Sequence, residues 1–108
     1  MKPRIMYIER KINIDGYARI GRVTFSQTGR TIYYSGRQFI PIKTYKANYM
    51  DLQTREEYWI SGPKKRGGDT LHGGTIHIDD DVREEYWTTI RNLPNLKHQK
   101  TINCNGKY

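Results

Sequence analysis

The chain is poor in the features that mark secreted, membrane-spanning and acidic proteins. It holds a single cysteine, Cys104, which excludes an internal disulfide framework and implies a reducing compartment. No stretch approaches the roughly 20 apolar residues that cross a bilayer. The opening Met1-Lys2-Pro3-Arg4 has none of the apolar run of a signal peptide. These absences predict a cytoplasmic chain with no membrane association. Hydrophobic residues make up only 35% of the 108, enough for one domain around a single small core. Carboxylates are scarce as well, with 11 Asp and Glu against 19 Lys and Arg. The net charge of +8 is unevenly spread: +9 over residues 1–66, −4 over 67–92 and +3 over 93–108. A basic sheet region of this kind attracts polyanions, and nucleic acid is the commonest polyanion in a cell.

What the chain does have is tyrosine. Nine Tyr and two Trp must supply much of the buried area, with their polar tips near the surface. The pentapeptide Arg-Glu-Glu-Tyr-Trp occurs twice, at Arg55–Trp59 and at Arg83–Trp87, in different settings. The first copy runs into Ile60-Ser61-Gly62-Pro63 and reads as a strand with a hard stop. The second follows Asp79-Asp80-Asp81 and reads as a capped helix closed by Pro94. The flanks share nothing, so the pair is no structural repeat. It places the boundary between sheet and helix between residues 60 and 82.

Arg4–Glu9 has the β-branched and aromatic content of a first strand, apolar on both faces. Tyr17–Ser26 reads as a long second strand whose alternation slips, since Ala18 and Ile20 differ in parity from Val23 and Phe25. A β-bulge at Gly21-Arg22 would put those four on one face and Arg19, Arg22 and Thr24 on the other. Ser26–Gly29 is a hairpin loop, and Arg30–Ser35 returns with Ile32 and Tyr34 inward and Tyr33 outward. Gly36-Arg37 opens a loop, and Pro41 argues against a central strand there. Tyr45–Asp51 and Glu56–Ser61 form a second hairpin. Residues 62–74 hold five glycines and the run Lys64-Lys65-Arg66, and so read as an exposed loop. Thr75–Ile78 is a last strand.

Asp79–Asp81 would cap the helix that follows, over about 82–92, with Val82, Tyr86, Ile90 and Leu93 as its apolar stripe. Six strands and one carboxy-terminal helix predict a mainly β fold. The expected form is a small antiparallel barrel or strongly bent sheet of the Src-homology-3 type, with an oligonucleotide-binding barrel as the alternative. Residues 1–94 would form the domain, and 95–108 a basic, flexible tail without periodicity.

The segments Ala18–Ser26 (Ala-Arg-Ile-Gly-Arg-Val-Thr-Phe-Ser), Gly29–Tyr34 (Gly-Arg-Thr-Ile-Tyr-Tyr), Glu57–Lys65 and Val82–Trp87 occur in an order that resembles a family of short, uncharacterised bacterial proteins. The resemblance spans about residues 1 to 94 and implies no established activity. It also sets Arg55 at a position where similar sequences more often carry glycine.

Catalysis is not expected. Ser26, Ser35 and Ser61 lack a nucleophile-elbow context, and Glu56-Glu57 and Glu84-Glu85 read as solvated charge. His72, His77 and Asp79–Asp81 match no metal-ligand spacing, so neither metal nor cofactor is expected. The chemistry left is binding. Arg19, Arg22, Tyr33 and Arg37 on one sheet face would pair phosphate contacts with a stacking ring, as RNA or single-stranded DNA requires. Lys64, Lys65 and Arg66 would wrap a phosphate backbone. The alternative partner is an acidic protein docked on the same basic surface.

Overall fold

A computed structural model describes residues 2–11, 17–63 and 74–103. Its first six strands are β1 (Arg4–Arg10), β2 (Tyr17–Phe25), β3 (Ile32–Tyr34), β4 (Arg37–Pro41), β5 (Tyr49–Asp51) and β6 (Glu57–Ser61). Each pairs antiparallel with the next, and β1 pairs with both β2 and β6, which closes the ring. The expected small antiparallel barrel is therefore present, as a meander in sequence order. Strand β7 (Thr75–Ile78) adds to β2 in parallel, and β8 (Thr101–Asn103) adds antiparallel to β7. Between them runs the short helical segment 80–90.

The apolar run in β1 follows from its place between two cores rather than one. Met6 and Ile8 point into the barrel with Val23, Ile32, Phe39, Tyr58 and Ile60. Ile5 and Tyr7 point outward onto Ala18, Ile20, Ile76, Ile78, Val82, Tyr86 and Trp87. The single small core expected from composition is thus two clusters sharing one strand. Closing a ring this small leaves the outer face of β1 and β2 apolar, and β7 with the helical segment covers it.

That arrangement corrects the reading of β2. Its register against β1 runs unbroken from Arg10↔Tyr17 to Arg4↔Val23, so there is no bulge at Gly21-Arg22. The alternation slips because the strand changes which face it buries. Ala18 and Ile20 serve the outer core, while Val23 and Phe25 serve the barrel interior. Strict alternation then puts Arg19 and Arg22 on opposite faces of the strand.

Strand β4 is a second correction, since a loop was expected from Gly36-Arg37 and Pro41 argues against a central strand. Pro41 is its last residue, and Ile42 donates its N–H to Asn48 on the β5 side. The Pro41 nitrogen therefore faces the β3 side, where β3 begins only at Ile32, opposite Phe39. No ladder bond is lost. The connection from β3 is a two-residue turn with Ser35 at φ 53° and Gly36 at φ 75°, the mirror-image geometry that suits hairpin twist.

The helical segment departs from a regular α-helix and is not capped by an aspartate side chain. Its last turns widen, with the Arg91 N–H bonded to the Tyr86 carbonyl at 2.9 Å. The widening sets Tyr86 and Trp87 side by side against the sheet, rings edge-on at 5.0 Å, both buried. Of the residues expected to form a tail, the described ones, 95–103, fold back instead. Leu96 and Ile102 pack on the outer core, and the Trp87 indole N–H donates to the Gln99 carbonyl at 2.9 Å. Elements three residues long carry no periodicity that a sequence could display.

Candidate nucleic-acid interface

Among the described residues, the structure brings Arg19 and Arg22 to one cleft whose lining does not include Tyr33 or Arg37. Arg19 lies on the inward-facing parity of β2, where its Nε donates to Asp79 Oδ1 at 2.7 Å. The Tyr34 hydroxyl donates to Asp79 Oδ2 at 2.5 Å, so one carboxylate holds both groups. Arg22, on the opposite face, donates to Glu85 at 2.7 Å, and that hydrogen bond raises the proton affinity of its guanidinium above the ordinary value. Arg37 donates to Asp51 Oδ2 at 2.6 Å, which raises its affinity for the proton in the same way. Tyr33 is 38% exposed and pairs across the sheet with Thr24 and Gln38. Lys64, Lys65 and Arg66 lie outside the described residues, as does His72.

Each of the three arginines thus answers a carboxylate that the sheet or the helical segment supplies. Asp51 shows the balance of forces. It is 0% exposed, and burial pushes its carboxyl up. The Arg37 guanidinium and the backbone N–H groups of Gln53 and Thr54 outweigh that push and hold it below its ordinary 3.8. Arg19, Arg22, Tyr34, Ser35, Asp79 and Asp81 line a polar cleft of about 400 Å³. Within it Arg19 pairs with Asp79, while Arg22 is held from outside the lining by Glu85. Among the described residues no group of three His, Cys, Asp or Glu is placed to hold a metal ion.

A different surface gathers uncommitted charge. In an up-and-down ring the β2–β3 loop, the β4–β5 loop, the amino-terminal segment and the exit from β6 share one end of the barrel. The described cations there are Lys2, Arg4, Arg30, Lys43 and Lys46, all exposed. Residues 2–4, 26–31, 42–48 and 62–63 contain no Asp or Glu. Glu85 reaches a groove beside Arg4, but it is held by Arg22. At the opposite end the β5–β6 connection carries Glu56 beside Arg55, with Arg10 within 3.8 Å of Glu56.

The β4–β5 loop is rigidly built. The Thr44 N–H donates to the Ala47 carbonyl at 3.1 Å, and the Ala47 N–H donates to Thr44 Oγ1 at 2.9 Å. Ala47 is buried, and the Asn48 side chain exchanges two hydrogen bonds with the Ile60 backbone, at 2.8 and 2.9 Å. This clamp leaves Tyr45 and Lys46 at the tip, with the Tyr45 ring 97% exposed. The sequence reading set Tyr45 at the start of a strand, but β5 begins only at Tyr49. Lys43-Thr44-Tyr45-Lys46 sets a tyrosine between two lysines, but nothing in the residue order places it at a loop tip. Trp59, in contrast, packs on the outer core and is only partly exposed.

No family model, curated protein or solved structure matches the chain.

Proposed function

We propose that this protein is a non-enzymatic binding module that engages a nucleic-acid backbone with the cationic end of its barrel. The observation that carries the reading is the sorting of charge. Arg19, Arg22 and Arg37 are neutralised by Asp79, Glu85 and Asp51, whereas Lys2, Arg4, Arg30, Lys43 and Lys46 are exposed on barrel segments, residues 2–4, 26–31 and 42–48, that themselves hold no carboxylate. Unneutralised cations spread over several loops match the spaced charges of a phosphate backbone and gain by releasing its counterions. The polar cleft at Arg19 lacks a nucleophile with a held base, which favours binding over catalysis.

The test is a fluorescence-anisotropy titration of labelled single-stranded RNA and DNA at 50 and 200 mM salt. Salt-sensitive binding at micromolar or lower concentration is expected. If neither strand binds at the lower salt while a polyglutamate peptide does, the partner is an acidic protein and the nucleic-acid reading fails.

A further inference from the structure

We infer that Tyr45 is a base-stacking residue and that the site it forms with Lys43 and Lys46 selects single-stranded nucleic acid over duplex. The inference rests on the nucleic-acid reading above and adds the element that backbone contact alone lacks. Four observations lead to it. The Tyr45 ring is 97% exposed in a chain where apolar area is scarce, so it contributes nothing to either core. It stands between two exposed lysines, three residues apart in sequence. The turn beneath it is fixed by Thr44, buried Ala47 and the Asn48 clamp onto Ile60, so little freedom is lost when a ligand is bound. The β2–β3 and β4–β5 loops, residues 26–31 and 42–48, carry cations and no carboxylate.

An aromatic face presented this way offers a platform to an unpaired base, while the flanking ammonium groups reach the phosphates on either side. Bases in a duplex are stacked on one another and closed to such a ring. A duplex would meet only the lysines, so the ring itself produces the discrimination. The Tyr45 hydroxyl is not required for stacking, which separates this role from hydrogen bonding.

Because Tyr45 makes no packing contact, its substitution leaves the fold intact, and binding can be read directly. The probes are a ten-nucleotide single-stranded RNA, a hairpin duplex of the same sequence, and inorganic polyphosphate, each titrated against Tyr45→Ala and Tyr45→Phe. Tyr45→Ala is expected to weaken binding of the single strand by about 5- to 150-fold, the range for losing one stacked base. Duplex and polyphosphate affinities should stay within twofold, and Tyr45→Phe should bind like the parent. A parent that binds the single strand, with Tyr45→Ala equal to it, overturns the stacking role and leaves the cationic interface standing. An equal loss on all three probes shows a charge or loop effect and also overturns it. A parent that binds none of the probes removes the nucleic-acid reading itself.

Discussion

The hydroxyl of Tyr34 meets the carboxylate of Asp79 directly above Gly21, joining strand β3 of the barrel to the turn that follows β7. A Cβ on Gly21 would lie 2.5 Å from Asp79 Oδ2 and 2.5 Å from the Tyr34 ring. Only glycine leaves room for this contact, and Arg19 completes it from the same strand. The barrel and its outer layer are coupled here by a polar lock that adds to the apolar packing of the outer core.

Replacing Gly21 with alanine therefore forces the ring or the carboxylate aside. The expected cost is about 1–3 kcal/mol, the range for overpacking a filled site. Tyr34→Phe removes one charge-assisted hydrogen bond and should cost about 1.5–3 kcal/mol. Urea denaturation followed by tryptophan fluorescence measures both. A Gly21→Ala protein as stable as the parent would show that the close approach over the glycine does not exist in solution.

Asp51 supplies a pH-dependent prediction. Its carboxyl titrates below 3.8 in the folded chain and near the usual carboxylate value when unfolded. The folded state thus binds the proton more weakly. The stability this provides is fully present above the unfolded value and is lost as pH falls through the folded one. Asp51→Asn should lower stability by about 1.5–3 kcal/mol at neutral pH. The gap between variant and parent should hold constant from about pH 7 to pH 5, then narrow below about pH 4. Thermal melts across that range decide it. A gap that widens in acid would mean the sign is wrong.

Arg55 sits in the left-handed region at φ 68°, the last loop residue before Glu56 closes back on Asp51 at 2.9 Å. A side chain there costs about 1–2 kcal/mol relative to glycine. Part of the gain from removing it is offset by the larger entropy of an unfolded glycine, about 0.4–1 kcal/mol. Arg55→Gly should accordingly raise stability by about 0.5–1 kcal/mol and shift the melting midpoint upward by several degrees. A lower midpoint would show that the Arg55 side chain makes a stabilising contact.

Much of this architecture was legible from residue order, because apolar parity is a strong signal where a strand has one buried face. The two-sided burial of β1 could be read from Ile5-Met6-Tyr7-Ile8, and the outward set of Tyr33 from Ile32 and Tyr34. The parity slip in β2 was visible too, but a bulge and a change of buried face leave the same trace. Only a second core separates them, and nothing local to residues 17–25 announces one. Pro41 misled because its cost depends on whether a neighbour faces its nitrogen, which is a matter of strand ends. For the candidate site, the residue types were legible and their ion pairs were not. Arg19, Arg22 and Arg37 looked free because their carboxylate partners lie 60, 63 and 14 residues away. Lys43-Thr44-Tyr45-Lys46 drew no notice because an exposed tyrosine at a strand start is ordinary, whereas one at the tip of a clamped turn is not.

The central claim is that the cationic barrel end, and not the paired arginines of the sheet, binds nucleic acid. The direct measurement titrates single-stranded RNA with the parent, with Lys43→Glu/Lys46→Glu, and with Arg22→Ala, over a series of salt concentrations. The barrel-end variant should lose at least about tenfold in affinity, and the slope of log K against log salt should flatten by about 1.4, two phosphate contacts on a single strand. Arg22→Ala, whose charge already answers Glu85, should bind within twofold of the parent. A parent-like Lys43→Glu/Lys46→Glu protein beside a weakened Arg22→Ala protein would contradict the account and return the interface to the sheet face.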